Sequence, residues 1–172
     1  RKRVGLLIEP LLQVARGNRG RIHWHHLGDG PGRKAVELSL VSGVPTNLSF
    51  SFYGQVANRD VHEFFRKNPV DLFVNLSESE GIPVSIMEAM SYGVPVLATD
   101  VGGTSELVDS EVGHLLSPEP TVQDIVIALD RAMSENWRES KGLTARARVQ
   151  RDFDAAKNYP GFLAELEALI RQ

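Results

Sequence analysis

The sequence contains no cysteine, so disulfides, thiolate metal sites and cysteine nucleophiles are excluded, and a reducing compartment is permitted. No apolar run approaches the ~20 residues needed to span a bilayer. The opening Arg1-Lys2-Arg3 has no signal-peptide pattern behind it. Charge of one sign is also lacking. The 19 basic and 22 acidic residues leave a net −3, which argues against a basic nucleic-acid binder. The N-terminal basic residues have no interleaved aromatics on which bases could stack, so no nucleic-acid partner is expected. What remains is a globular composition: 172 residues, 42% hydrophobic, long enough for one domain with a real core and too short for two full-sized ones.

Charge is unevenly spread. Residues 1–34 carry eight basic side chains against Glu9 and Asp29, a net +6, while the rest holds 11 basic and 20 acidic residues. Such a segment suits an anionic ligand or an anionic membrane surface, or is simply a solvated helix face and a loop.

Strand-like runs at Ile22–Leu27, Leu48–Tyr53, Asp71–Leu76 and Val94–Thr99 alternate with helical stretches at Arg33–Val41, Val61–Lys67 and Val84–Tyr92. Connectors of this length imply right-handed crossovers and a parallel sheet, so the class is α/β. Thr121-x-x-Asp124 reads as a capping box ahead of a helix, and further helices are expected over Trp137–Arg151 and Ala155–Arg171, the latter broken near Tyr159-Pro160-Gly161. Val4–Arg16 is helical in spacing with Pro10 inside, which predicts a kink or a late start.

The sharpest feature is Glu80-Gly-Ile-Pro-Val-Ser-Ile-Met-Glu88, which follows a strand and a serine-rich loop and runs into a helix. Pro83 suits the first helical position, leaving the amides of Val84, Ser85 and Ile86 to meet an anion at the positive helix end. Glu80 in the loop and Glu88 ~7 Å along the helix axis would flank that anion. A nucleotide-sugar, with hydroxyls at both ends and phosphates between, is such a ligand. The alternatives are a helix-capping Glu80 with a solvated Glu88, or a glycosidase-type carboxylate pair, which explains neither the anion site nor the glycine loops.

Glu-x7-Glu, the following Ala-Met-x-x-Gly-x-Pro-Val (Ala89 to Val96) and Asp100-Val-Gly-Gly-Thr-Ser-Glu-Leu-Val108 closely resemble retaining GT-B glycosyltransferases of family 4. Leu27-Gly28-Asp29-Gly30-Pro31, Phe52-Tyr53-Gly54-Gln55-Val56, Gly113-His-Leu-Leu, Asp152-Phe153 and Asn158-Tyr159 extend the likeness over nearly the whole chain. The resemblance implies a Rossmann-like doubly wound sheet, one half of a GT-B fold. Residues 1–172 would form the nucleotide-sugar donor-binding domain, with the N-terminal acceptor domain outside this chain. It further implies that Glu80 binds hydroxyls of the transferred sugar and Glu88 those of the ribose. Gly81, Ile82, Pro83, Val84 and Ser85 would face the sugar and distal phosphate, and Gly28, Gly30, Gly54, Gln55 and Val56 would line the nucleotide end. Lys2 matches the lysine of the family's diphosphate-binding Arg-x4-Lys pair, and Ile82-Pro83 departs from the family's commoner aromatic-Gly. The implied reaction is sugar transfer with retention and without a metal, to a sugar or lipid-linked acceptor. Its implied setting is the cytoplasm or the inner membrane face, in surface polysaccharide or glycolipid synthesis. This chain alone is expected to transfer nothing. Other readings are a non-catalytic nucleotide-sugar-binding partner and a sugar-nucleotide epimerase of the same fold.

Weaker signals point elsewhere. Gly28-x-Gly30-x-x-Arg33 is a poor dinucleotide fingerprint, with Arg in place of the third glycine. His23 and His25 share a strand face but lack a third metal ligand. Finally, a doubly wound sheet of order 3-2-1-4-5-6 starts with a central strand, whereas this chain starts with a helix. A gap is therefore expected between the strands at Ile22–Leu27 and Asp71–Leu76, with upstream residues present in the natural molecule.

Overall fold

The structure, a computed structural model, describes residues 2–17 and 20–171, so Arg1 and Arg19 of the basic segment lie outside the described residues. A 3-10 turn at Val4–Leu7 leads into helix α1 (Ile8–Gly17). The late start accommodates Pro10, which falls in the first turn of α1, where its missing N–H has no intrahelical acceptor to lose. No kink is needed, and Leu11, Leu12, Val14 and Ala15 turn one face of α1 into the core.

Strand β1 (Ile22–Leu27), α2 (Arg33–Ser39) and β2 (Leu48–Gly54) follow. Helix α2 stops two residues short of the expected Val41, which is exposed. Helix α3 (Asn58–Lys67) begins three residues before the expected Val61, because its first turn is polar and shows no apolar period; Asp60 there suits the positive helix end. Next come β3 (Phe73–Asn75), α4 (Val84–Ser91), β4 (Val96–Thr99), α5 (Thr104–Leu107) and β5 (Gly113–Leu116). Gly93, at φ +68°, closes α4 by donating its N–H to the Met90 carbonyl at 2.8 Å. Helix α6 (Val122–Ser134) starts with the expected capping box: the Asp124 N–H donates to Thr121 Oγ1 at 3.2 Å, and the Thr121 N–H to Asp124 Oδ2 at 2.8 Å.

Helices α7 (Trp137–Asp152) and α8 (Ala155–Ile170) complete the chain. The expected break at Pro160 is absent and α8 runs through it. Asp154 Oδ1 caps its start by accepting from the Ala156 N–H at 3.0 Å. The carbonyl that Pro160 leaves without a donor is on an exposed residue, Ala156, where water can reach it. No helix among the described residues is long and apolar enough to cross a membrane.

Every ladder is parallel. β1 pairs with β2, and β3, β4 and β5 form a second sheet in that order. Strand β4 is buried along its whole length, as a strand covered on both faces must be. Leu97 joins the cluster beneath α1 and α6, with Leu11, Val14, Leu48 and Leu129. Val96 and Ala98 point the other way, to Ile86, Met90 and Ala145 of α4 and α7. The molecule is therefore an α/β doubly wound structure of strand order β2-β1, then β3-β4-β5, with no ladder among the described residues joining β1 to β3. Between these two strands lies a cavity of about 900 Å³, where the gap was expected.

Candidate functional site

The site gathers at the C-terminal ends of the strands. Arg3 fastens the first described residues there: its Nε donates to the Leu76 carbonyl at 2.9 Å, and its Nη2 to the carbonyls of Ser77 (2.9 Å) and Pro118 (2.7 Å). Its Nη1 also lies 3.0 Å from Glu119 Oε1. These bonds hold Arg3 in a left-handed backbone conformation, φ 42°, which costs a non-glycine residue about 1–2 kcal/mol. They also deliver its neighbour. Lys2 Nζ donates to Glu80 Oε1 at 2.6 Å.

Glu80 sits in a polar cradle. Asn75 Nδ2 donates to the same carboxylate oxygen at 3.2 Å, and Asn75 Oδ1 accepts from the Ser77 hydroxyl at 2.6 Å. Burial pushes the Glu80 carboxyl up, but hydrogen bonds from Lys2, Ser77 and Asn75 outweigh it, so its pKa lies below the usual glutamate value. Thr99 donates to the Ser77 carbonyl at 2.6 Å, which ties this cradle to the buried end of β4.

The Glu80–Ile82 loop rests on glycine. Gly102 has φ +54°, and a Cβ there would fall 1.9 Å from the Glu80 carbonyl oxygen. The Gly103 N–H donates to the Gly81 carbonyl at 2.8 Å. Only a residue without a side chain lets the two loops meet this closely.

Helix α4 begins at Val84, as its helical stretch predicts, but Pro83 stands one place before the first helical position considered for it. Pro83 is the N-cap, in extended backbone, and the Ile86 N–H donates to the Pro83 carbonyl at 3.0 Å. Ile86 is therefore not available to an anion, and the open end narrows to Val84 and Ser85. No side chain caps this end, which removes the helix-capping role considered for Glu80. Glu88, on the next turn, is 16% exposed at its side chain; Asn58 Nδ2 donates to its Oε1, and His62 Nε2 lies 3.9 Å from the same oxygen.

At the other end, the Gly28 N–H donates to the Gly54 carbonyl at 2.8 Å, joining the ends of β1 and β2. Gly54 also carries a left-handed φ of +70°, and a Cβ there would lie 2.9 Å from an Arg33 guanidinium nitrogen. Gln55 is exposed and Val56 half-buried, on the short link from Gly54 to Asn58. Gly30 is exposed, and its N–H is taken by Asp29 Oδ1 at 2.7 Å.

Lys2, Gly28, Ser85 and Glu88 line one cavity together with Asp29 and Asn75. Glu80 joins them through Lys2, and Gly54 through Gly28. Ile82 and Val84 are exposed outside it, and Pro83 is buried beneath the loop. Sequence reasoning missed Arg3, Asn58, Asn75 and Ser77, which hold the site from behind. Only Asn75-x-Ser77 had a local signature, a turn in which the asparagine side chain accepts from the backbone two residues on. His23 and His25 do share a strand face, their rings stacked 4.1 Å apart. They are hydrogen-bonded to Ser49, Ser51 and Tyr53, and no metal-binding cluster of three occurs among the described residues.

The family model described as Glycosyl transferases group 1 matches residues 1–135. Among curated proteins, the O-antigen biosynthesis glycosyltransferase WbnH of Escherichia coli is 40% identical over 82 residues, covering 46% of this chain and 23% of WbnH. Among solved structures, Anabaena HepE in complex with UDP-glucose superposes with a TM-score of 0.75 at 23% identity, covering 97% of this chain and 45% of HepE. The C-terminal domain of the glycosyl transferase group 1 family protein LpcC from Francisella tularensis superposes with a TM-score of 0.71 at 22% identity, covering 90% of this chain and 80% of that one. This chain spans about a third or less of the curated relatives it matches first. At these structural identities the likeness shows the fold.

Proposed function

The chain belongs to the glycosyl transferases group 1 family, and we propose that it forms the donor-binding part of a retaining glycosyltransferase that builds surface polysaccharide or glycolipid. One observation carries this reading: an ammonium group and a carboxylate, Lys2 and Glu80, stand in contact beside the open end of α4. In this reading Lys2, 59% exposed, turns to the donor diphosphate, and Glu80, held by Asn75, takes the sugar hydroxyls. The Val84 and Ser85 amides add the positive end of the helix dipole to the same phosphates. Glu88 accepts from the ribose hydroxyls, with Asn58 fixing its orientation. The Gly28–Gly54 pair and the Gln55-Val56 link pass close to the base, where absent side chains admit backbone contact.

The chemistry follows from placement. Breaking the bond between sugar and diphosphate leaves negative charge on the departing phosphate, and fixed positive charge aimed there lowers the barrier. Lys2 and the helix end supply that charge without a resident metal. The acceptor, a sugar or a lipid-linked sugar, would be presented by residues outside this chain, in the cytoplasm or at the inner face of the membrane.

HepE in complex with UDP-glucose shares this fold, which supports a nucleotide-sugar as the ligand class. Calorimetric titration with UDP, GDP, ADP and UDP-glucose to millimolar concentration tests the reading. Saturable binding of at least one diphosphate is expected, weakened by Lys2→Ala; no binding of any would overturn it.

A further inference from the structure

Val61 and Phe64 of α3 line the same cavity as Ser85 and Glu88 of α4. No residue of α3 is fully buried, and two matched rows of side chains fasten it to α4. Asn58, His62 and Phe65 share one face of α3, and Glu88 and Tyr92 lie one turn apart on α4. Asn58 Nδ2 donates to Glu88 Oε1, and His62 Nε2 lies 3.9 Å from that same oxygen. His62 Nδ1 is 3.1 Å from the Tyr92 hydroxyl, and the Tyr92 and Phe65 rings stack with centroids 5.4 Å apart. Arg59 and Glu63 turn elsewhere, to Asp60 and Lys67.

The carboxylate decides where the protons sit. An ionised glutamate only accepts, so the imidazole nitrogen facing it, Nε2, carries the N–H. Nδ1 is then the acceptor, and the Tyr92 O–H donates to it. Tyr92 thereby fixes both the ring and the tautomer of His62. Asn58 and His62 engage Glu88 through Oε1, while Oε2 accepts no hydrogen bond from the described residues. We infer that Asn58, His62 and Tyr92 form a clamp that reserves Glu88 Oε2 for a ligand hydroxyl, which makes α3 the element that selects ribose over deoxyribose.

The selection follows from desolvation. Glu88 is only 16% exposed at its side chain. A loose carboxylate there would turn to water when a deoxyribose arrived, and the missing hydroxyl would cost little. A pinned one cannot turn, so its oxygen is left unpaired beside a C–H, and the analogue is rejected. The clamp also orders the Glu88 side chain before the ligand arrives, which spares that entropy on binding. His62 and Tyr92 are positioning residues, acting on the ligand through Glu88. The selection rests on Glu88 accepting from ribose, as in the donor reading, whereas the His62 tautomer does not.

Calorimetry with UDP, GDP and ADP, each beside its 2′-deoxy and 3′-deoxy form, tests the clamp. Wild type should favour the ribonucleotide over at least one deoxy form by about tenfold or more, the worth of one hydrogen bond to a charged group. His62→Ala should reduce that preference to about threefold or less, and Glu88→Ala should abolish it. Tyr92→Phe, which keeps the ring stacked on Phe65, should fall between wild type and His62→Ala. His62→Gln should restore most of the preference, since its amide can place an N–H where Nε2 stood. If His62→Ala weakened ribose and deoxyribose forms alike, with the preference intact, the clamp would be overturned and the donor reading would stand. A wild-type preference that survives Glu88→Ala, or no binding of any nucleotide, would overturn both. Nitrogen-15 shifts of the His62 ring at pH 8.5 supply a readout without ligand. The Nε2-protonated tautomer is expected, and the Nδ1-protonated one would overturn the clamp.

Discussion

Gly102 backs directly onto Glu80: a Cβ on Gly102 would fall 1.9 Å from the Glu80 carbonyl oxygen. The backbone carrying the candidate carboxylate therefore has its position set by a glycine 22 residues away, after β4. Gly102→Ala must both move that loop and hold alanine at φ +54°, so a loss of about 1–3 kcal/mol in stability is expected. Gly81→Ala, with nothing within 4 Å of its Cβ, should cost much less. Chemical denaturation of the two variants checks the contrast, which equal losses would contradict.

The two carboxylates should separate by ligand. Glu80→Ala is expected to weaken a sugar-nucleotide more than the free nucleoside diphosphate, and Glu88→Ala to weaken both alike through the ribose. Each lost hydrogen bond to a charged group is worth about 1.5–3 kcal/mol. Calorimetry with UDP and UDP-glucose measures the difference. Negligible effects on both ligands would leave Glu80 and Glu88 as structural charges.

The pH dependence of stability carries the sign of the Glu80 shift. Its folded pKa is lowered, so folding favours the ionised form, and the stabilisation is complete above the unfolded pKa of about 4.3. It is lost as pH falls through the folded value. Wild type should therefore exceed Glu80→Gln in stability at pH 7 by about 1 kcal/mol or less, because Lys2 is largely exposed. Unfolding measured from pH 7 to pH 2 should show this margin closing below pH 4. A constant margin would mean that the carboxylate charge contributes nothing.

On the proposed function, transfer itself is expected to need more than this chain. The acceptor must be held against the donor, and such positioning contributes several kcal/mol of the barrier reduction. The 172 residues are expected to bind a nucleotide-sugar and transfer no sugar above the rate in buffer. Release of labelled UDP from UDP-glucose with added acceptor measures this, and robust turnover would contradict it.

Local pattern was enough for much of the fold. Strand β1 lies where its run ends at Gly28, and the Thr121–Asp124 capping box marks the start of α6, because these signals act within a few residues of one another. The polar first turn of α3 and the unbroken course of α8 through Pro160 were not legible. Periodicity is silent where no apolar face exists, and a proline rule does not register whether the freed carbonyl meets water.

For the site, the sequence by itself determined which groups are available: a Glu-x7-Glu segment across a loop-to-helix junction, glycines at two strand ends and a lysine near the start. The order of its elements also implied a gap between β1 and β3. Only the tertiary structure decided that Lys2 meets Glu80 across 78 residues, that Asn58 holds Glu88, and that Arg3 is the anchor. Such contacts depend on which strand ends converge and on how closely two backbones approach. Both are set by long-range packing around β4, which no local run of residues encodes.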